Sequence, residues 1–367
     1  MISSAEDYLE SIQNLGKRGI EPQSYINKLD KVFGSLPAGS DIQRRCLRAL
    51  RKTCGIYGIL PDSYAITFSL CRLGERAFAS GGYADVYRVA SEQNAEELFA
   101  VKKLRLTEQH DIEKFTKKYC KEVVIFKRVN HPNVLSIEGI APQLSQHCMV
   151  SRWMEHGHIL GYLGKHPEAN RLDLLIGVAR GLDYLHQNDV VHGDLRSRNI
   201  LIDKECHPRI CDYGFSSITR NIHSANATTP NKRGGDRYIA PELIAEDKAG
   251  GVEKIRFTKE SDIYSLSMVI VELVTGKIPF PNVQREDTVT HRVSKGERPS
   301  KPKDFPVPGA SEEVWGVAEK CWHKKADKRL EIAQVYKHLN DIKSGVKVGD
   351  LRLSLFKRMS QWSSSSK

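Results

Sequence analysis

Apolar positions along the chain change their spacing twice. Up to about residue 69 they recur at helical intervals. Tyr8, Leu9, Ile12 and Leu15 follow Ser4 and Asp7, which have capping-box spacing. Tyr25, Ile26, Leu29, Val32, Phe33 and Leu36 follow Pro22, a residue suited to a first helical turn. Ile42, Cys46, Leu47 and Leu50 follow Ser40 and Asp41, either of which can cap. The pattern predicts three short amphipathic helices that form a small module or pack on the rest of the chain, with no catalytic cluster among them.

From about Phe78 the runs become short and β-like. Asp85–Val89 and Leu98–Lys102 flank a charged turn, as the arms of a hairpin would. A basic helical segment with Phe115, Tyr119, Val123, Phe126 and Val129 comes next. After Leu163 helices dominate. Leu172, Leu175, Val178 or Ala179, Leu182 and Leu185 make one long stripe, and Ile263–Val274 is apolar nearly all round, as in a helix buried in a core. A strand-rich small part followed by a helix-rich large part is an α+β pattern. Near the end, Val346, Val348, Leu351, Leu353 and Leu355 alternate as in a strand, while Leu351, Leu355, Met359 and Trp362 also fit one helix face. This basic, Ser-rich tail either packs on the large part or frays, or it makes a weak, reversible contact with an anionic membrane.

Composition narrows the classes. With 40% hydrophobic and 28% charged residues over 367 positions, the chain is neither collagen-like nor wholly disordered. Its densest apolar stretch, Ser267–Val274, is far short of the ~20 residues that span a bilayer. No secretory pattern or lipidation signal is expected from the termini. The eight cysteines include no C-x-x-C pair, so they read as reduced thiols of a cytosolic or nuclear protein, with the cytoplasm the expected place, rather than as zinc ligands or a redox dithiol. A net charge of +11 would suit nucleic acid, an anionic membrane or phosphate-bearing partners. No basic motif interleaved with aromatics supports nucleic-acid binding, so none is expected.

The chemistry sits in five elements in a fixed order. Phe78-Ala79-Ser80-Gly81-Gly82-Tyr83-Ala84-Asp85-Val86 is a small-residue loop that lets backbone N–H groups approach phosphate. Ala100 and Lys102 lie two apart on one strand face, leaving room for a flat ring beside an ammonium. Glu122 lies on a helix phase able to face Lys102. Asp194 and Asn199 stand five apart, a carboxylate to take a hydroxyl proton and an amide oxygen to ligate a hard cation. Asp212, followed by Tyr213 and Gly214, is suited to Mg²⁺ bridging phosphates.

Together these elements resemble a eukaryotic protein kinase over about Phe78 to Ile342. The likeness continues through Ala240-Pro241-Glu242, Ser261-Asp262-Ile263-Tyr264-Ser265, Thr275–Phe280, Cys321-Trp322 and Arg329. Trp153–Gly157 and the closing run are similar to the tyrosine-kinase-like group. Leu185–Asp194, with Gly193 in place of Arg, resembles the expanded kinases of mushroom-forming fungi. The resemblance implies a two-lobed fold: an N-terminal helical extension at 1–69, a kinase domain at 70–343 (N-lobe about 70–152, C-lobe about 153–343) and a tail at 344–367.

It also implies roles. ATP and Mg²⁺ are the expected cofactors. Lys102, held by Glu122, pairs the α- and β-phosphates. Asp194 orients or deprotonates the acceptor hydroxyl, and Arg196 helps neutralise charge. Asn199 and Asp212 hold Mg²⁺. Val86, Ala100 and Leu201 sandwich the adenine, Ser151 is the gatekeeper, and backbone groups of Arg152 and Met154 bond the adenine edge. Phe126, Ile137, His192 and Tyr213 match a stacked column. Glu242 and Arg329 pair in the large lobe, and Asp262 ties the catalytic loop to the buried helix.

The sequence departs from the pattern at Ala79 and Ala84, which replace loop glycines, and at Gly193, Arg196, Tyr213, Gly235 and Leu330. No charge-bearing catalytic residue is lost. The reading is a kinase acting on Ser or Thr of proteins. Its alternative, motivated by the loop alanines and Gly235, is a catalytically weak pseudokinase that serves as a nucleotide-binding scaffold. With Gly193 unable to clasp a phosphate, activity is expected not to depend strongly on phosphorylation among Ser216–Thr229.

Overall fold

The structure is a computed structural model that describes residues 21–74, 76–81, 84–106, 111–214, 236–248, 256–305 and 307–345. The helix expected after Ser4, the residues Gly82, Tyr83, Gly234 and Gly235, the hydroxyls from Ser216 to Thr229 and the tail past Gly345 lie outside the described residues. The chain divides into two compact units. One runs through Glu155 and resumes at Asp203–Cys206 and from Ile210; the other holds His156–Ile202, His207–Arg209 and the chain from position 236.

The first unit opens with helices α1 (Pro22–Ser35) and α2 (Asp41–Tyr57). Pro22 stands in the first turn of α1, whose buried face carries Tyr25, Ile26, Leu29 and Val32. Ser40 rather than Asp41 caps α2, its Oγ accepting from the Gln43 N–H at 3.2 Å. Gly58 ends the helix at φ 69°, in the left-handed region that glycine reaches without strain. One buried charge, Asp30, is paired in this region. Asp30 accepts from Arg128 and from Ser63 Oγ at 2.7 Å, and Arg128 Nε donates to the Tyr64 hydroxyl at 3.2 Å. Such pairing is what makes a buried carboxylate tolerable.

Strands β1 (Leu70–Arg72), β2 (Ala79–Ser80), β3 (Ala84–Ser91) and β4 (Leu98–Leu104) follow, then α3 (Ile112–Arg128), β5 (Gly139–Ile140) and β6 (Cys148–Arg152). They form one antiparallel sheet in the order β1-β3-β4-β6-β5, with β2 also on β3. Val89, Phe99, Val101, Cys148 and Val150 pack a core on one face of the sheet. The register places Val86 opposite Lys102 and Ala100 opposite Ser151. Because strand side chains alternate, these four share the other face. Asp111 caps α3, and α2 packs along it.

The second unit is helical. It contains α4 (Ile159–Lys165), α5 (Arg171–Gln187), a short strand β7 (Ile200–Ile202), α6 (Pro241–Lys248), α7 (Lys259–Thr275), α8 (Glu286–Ser294), α9 (Glu312–Cys321) and α10 (Ile332–Lys343). Leu172, Leu175, Val178, Ala179, Leu182 and Leu185 are all buried on α5, which packs on α10. Helix α7 is buried from Ser261 to Val274 except at Ser265, starts in a Thr258/Ser261 capping box and stops at Gly276, φ 66°. The strand-rich unit followed by the helix-rich one is the two-lobed α+β arrangement that the sequence predicts. Among the described residues no helix is long and apolar enough to cross a membrane.

Candidate active site

In the first unit, the face of the sheet that carries Val86, Ala100, Lys102 and Ser151 leaves all four partly exposed. At its edge, Phe78 N donates to Val86 O at 2.8 Å and Gly81 N to Ala84 O at 2.9 Å, closing the β2–β3 turn. Ser80 Oγ donates to Asp85 Oδ1 at 2.7 Å. Neither Ala79 nor Ala84 has a positive φ, so alanine at these places strains no backbone. Phe78 is exposed and packs edge-on to Trp153, with centroids 4.8 Å apart. The Arg152 side chain is taken up by Glu97 and by Glu138 at 2.9 Å. What this residue can offer a ligand is therefore main chain. Met154 comes just beyond, partly exposed.

Lys102 Nζ lies 2.5 Å from Asp212 Oδ1. Asp212 has φ 59°, a sparsely populated conformation for a residue with a Cβ, and such strain persists where surroundings impose it. Tyr213 next to it is buried, donates its hydroxyl to Leu135 O at 2.8 Å and meets Phe126 edge-on at 5.1 Å. Gly214 at φ 71° completes the turn. A Cβ there would stand 3.3 Å from Glu122 Oε2, so Glu122 points at this turn from α3. A cation that the sequence motifs do not single out lies close to it: Arg51 Nη2, from α2, is 2.6 Å from Glu122 Oε2. Two close pairs stand at this place, Lys102–Asp212 and Arg51–Glu122. The long lysine side chain satisfies its charge on the turn, and the guanidinium from α2 does the same for Glu122.

In the second unit, Asp194 is exposed and partnered by Asn199, whose amide donates to Asp194 O at 2.7 Å and to Oδ2 at 3.1 Å. The amide oxygen of Asn199 is left as the acceptor end. The loop is held from below by Asp262, which accepts from His192 N at 2.8 Å, Gly193 N at 2.9 Å and His186 Nε2 at 2.9 Å. Gly193 has φ 77°, so glycine makes a left-handed turn without strain where the resembled family carries Arg. Ser197 and Tyr238 both donate to Glu272. Burial, then the Glu272 carboxylate, push the Tyr238 phenol well above its ordinary pKa, keeping it a donor. Arg196 is partly exposed near Tyr238. Leu201 is partly exposed on β7.

Two ion pairs brace this unit. Arg329 makes a bidentate pair with Glu242, both N···O distances 2.7 Å, and the arginine side chain is fully buried. Arg237, which the sequence motifs do not single out, is buried and bonds Pro279 O at 2.7 Å, Phe280 O at 2.9 Å, Val283 O at 2.6 Å and Glu286 at 2.7 Å. Arg51 and Arg237 escape a motif search because each meets its partner through tertiary packing. The signal in the sequence is weak: Arg51 comes one position after the apolar stripe of α2.

Asp212 in the first unit and Asn199 in the second each carry an oxygen of the hard kind that Mg²⁺ prefers. Lys102 supplies three N–H donors for phosphate.

Residues 72–339 match the family described as protein tyrosine and serine/threonine kinase. The chain is 27% identical over 280 residues to the serine/threonine/tyrosine-protein kinase HT1 of Arabidopsis thaliana, covering 74% of this chain and 66% of the relative. It is 28% identical over 285 residues to the serine/threonine-protein kinase STY46 of the same plant, covering 77% and 46%. To the ephrin type-A receptor 3 of Danio rerio it is 28% identical over 227 residues, covering 60% and 22%. The chain therefore spans about two-thirds of the first relative and less than half of the other two. The matched segment takes in every candidate catalytic residue, and the chain belongs to the protein tyrosine and serine/threonine kinase family.

Proposed function

We propose that this chain is an ATP- and Mg²⁺-dependent kinase that transfers the γ-phosphoryl group to Ser or Thr hydroxyls of proteins. The observation that carries the reading is the intact charge set, with Lys102 Nζ 2.5 Å from Asp212 and the Asp194–Asn199 pair on a loop pinned by Asp262. Catalysis of this kind is positioning plus electrostatic stabilisation. Asp194 accepts the acceptor's proton or holds its hydroxyl in line. Asn199 fixes the Asp194 carboxylate and presents its amide oxygen to the metal. Lys102 would pair the phosphates, and Asp212 would hold the metal with Asn199. Arg196 adds positive charge to the side of the loop where the transferred group would pass. Bound Mg²⁺ neutralises charge on the β- and γ-phosphates. Val86, Ala100 and Leu201 flank the adenine, Ser151 leaves room behind it, and Phe78 to Ala84 covers the phosphates.

Ser/Thr acceptors are favoured by the receiving segment. Gly234–Glu242 lacks the Pro-x-Lys/Arg-Trp run that seats a longer tyrosine side chain, and Arg237 anchors its described part through a set of buried hydrogen bonds. The kinases of mushroom-forming fungi remain the narrower likeness, carried by Gly193 within Leu185–Asp194. Cysteines without a C-x-x-C pair support a reducing, cytoplasmic setting. The extension at 1–69 and the tail past Lys343 flank the kinase domain proper.

Phosphoamino-acid analysis after incubation with labelled ATP and Mg²⁺ tests this reading. Label is expected on Ser and Thr. Mainly phosphotyrosine would reverse the acceptor assignment, and no label on the chain or on a generic protein acceptor would favour the scaffold reading.

A further inference from the structure

Glu122 has an unusual neighbour for a carboxylate whose task is to hold Lys102. Its side chain is only 6% exposed, and the 2.6 Å contact to Arg51 comes from a helix outside the matched kinase segment. The approach is built in. One turn after Arg51 stands Gly55, where a Cβ would be 3.2 Å from Lys121 Cβ, so only a very small residue lets α2 lie this close to α3, directly beside Glu122. Arg51 itself is half committed to the interior: 28% of its side chain is exposed, and its Nε is buried with no hydrogen-bond partner among the described residues. Leaving an N–H unpaired is unfavourable, so the guanidinium is held there by its charge pair rather than by a full set of bonds.

We propose that Arg51 is a positioning residue for phosphoryl transfer, acting through Glu122 and making the N-terminal helices part of the active enzyme. The inference rests on the kinase reading. Arginine stays charged at all accessible pH values, so its pairing holds the buried carboxylate in place. A carboxylate has two oxygens. Oε2 meets Arg51, and a carboxylate can pair with more than one cation at once. Without Arg51, Glu122 loses the anchor that the 2.6 Å contact gives it, and its aim toward Lys102 is less well defined. The gain over a motif-only enzyme is that α2 and α3 move as a pair.

The test uses the full chain. Arg51→Met should lower kcat/KM for ATP about tenfold, the cost typical of a misplaced catalytic group. Arg51→Lys should recover part of the loss. ATP affinity, measured with Mg²⁺ by displacement of a fluorescent nucleotide, should weaken in Arg51→Met when Glu122 is present. It should not weaken further when Arg51→Met is added to Glu122→Gln, because Arg51 then has no carboxylate to position. An equal loss in both backgrounds would overturn the proposal and leave Arg51 a purely structural residue. Wild-type or raised kcat/KM in Arg51→Met would also overturn it, the latter by showing that Arg51 withholds Glu122. Failure of the kinase reading looks different: the wild type itself would transfer no more phosphate than Asp194→Asn, while the affinity cycle could still be read.

Discussion

Asp262 shows how much one buried carboxylate can organise. Its two oxygens accept two backbone N–H groups of the catalytic loop and the His186 ring, and the residue is 1% exposed. Asp262→Asn would turn one oxygen into an amide that faces N–H groups. Unfolding stability is expected to drop by about 3 kcal/mol, the order seen when one partner of a buried charged network is lost. Urea denaturation would register this as a lower midpoint at unchanged slope, with transfer activity lost in the same variant. His147 gives the pH counterpart. It is buried, meets the Phe115 and Tyr119 rings edge-on at 5.1 Å each and shares a 2.8 Å hydrogen bond with Thr116. Burial lowers its pKa. The unfolded chain therefore takes a proton near pH 6.5 while the folded ring stays neutral, so stability falls as pH drops below about 6.5 and levels off below the folded pKa. Thermal melts between pH 7.5 and 5 should show that decline, and His147→Gln should make it shallower. An identical slope in both proteins would contradict this assignment.

At the scale of elements, the pattern of the sequence locates most of what the structure contains. The stripes on α1, α2 and α5 and the mostly apolar run of α7 are read directly, because the pattern of apolar positions marks the buried faces. The hairpin of β3 and β4 is read from alternation flanking a turn. Less legible is how the extension attaches. Tyr64, wholly buried, and the Ala65 to Ile66 stretch meet β5, where Ile66 N donates to Ile140 O at 2.9 Å. Nothing local to residues 62–66 announces that contact. It depends on Gly139, where a Cβ would lie 2.3 Å from Tyr64 O. Gly139→Ala should therefore push this segment off β5 and cost about 1–3 kcal/mol, as overpacking does, visible as a lowered Tm. An unchanged Tm would mean that the segment docks by other contacts. The pairing of Glu122 escapes the sequence for the same reason: its cation comes from 71 residues away.

Across the whole molecule, the eight thiols report on which surfaces are closed. Cys71 and Cys206 are exposed, while Cys46, Cys54, Cys120, Cys148, Cys211 and Cys321 are buried. Burial pushes the Cys46 thiol up to about 11 and the Cys120 and Cys321 thiols up to about 12, so none of these three forms the reactive thiolate near neutrality. A maleimide should label Cys71 and Cys206 in the native protein and all eight in urea. Fast native labelling of Cys46 or Cys54 would show that the N-terminal helices are open on that timescale, which would also weaken the case for Arg51.

The central claim concerns the chemistry that these surfaces enclose. Asp194 stands on a loop whose backbone is fixed from Asp262, so Asp194→Asn changes one oxygen and leaves the pinning bonds in place. The decisive measurement is the initial rate of labelled phosphate transfer from ATP with Mg²⁺ to a generic protein acceptor, wild type against Asp194→Asn, with nucleotide affinity measured on both. The account predicts transfer by the wild type, a loss of at least about a hundredfold in the variant and nucleotide affinity nearly unchanged. Equal labelling by the two proteins would contradict it.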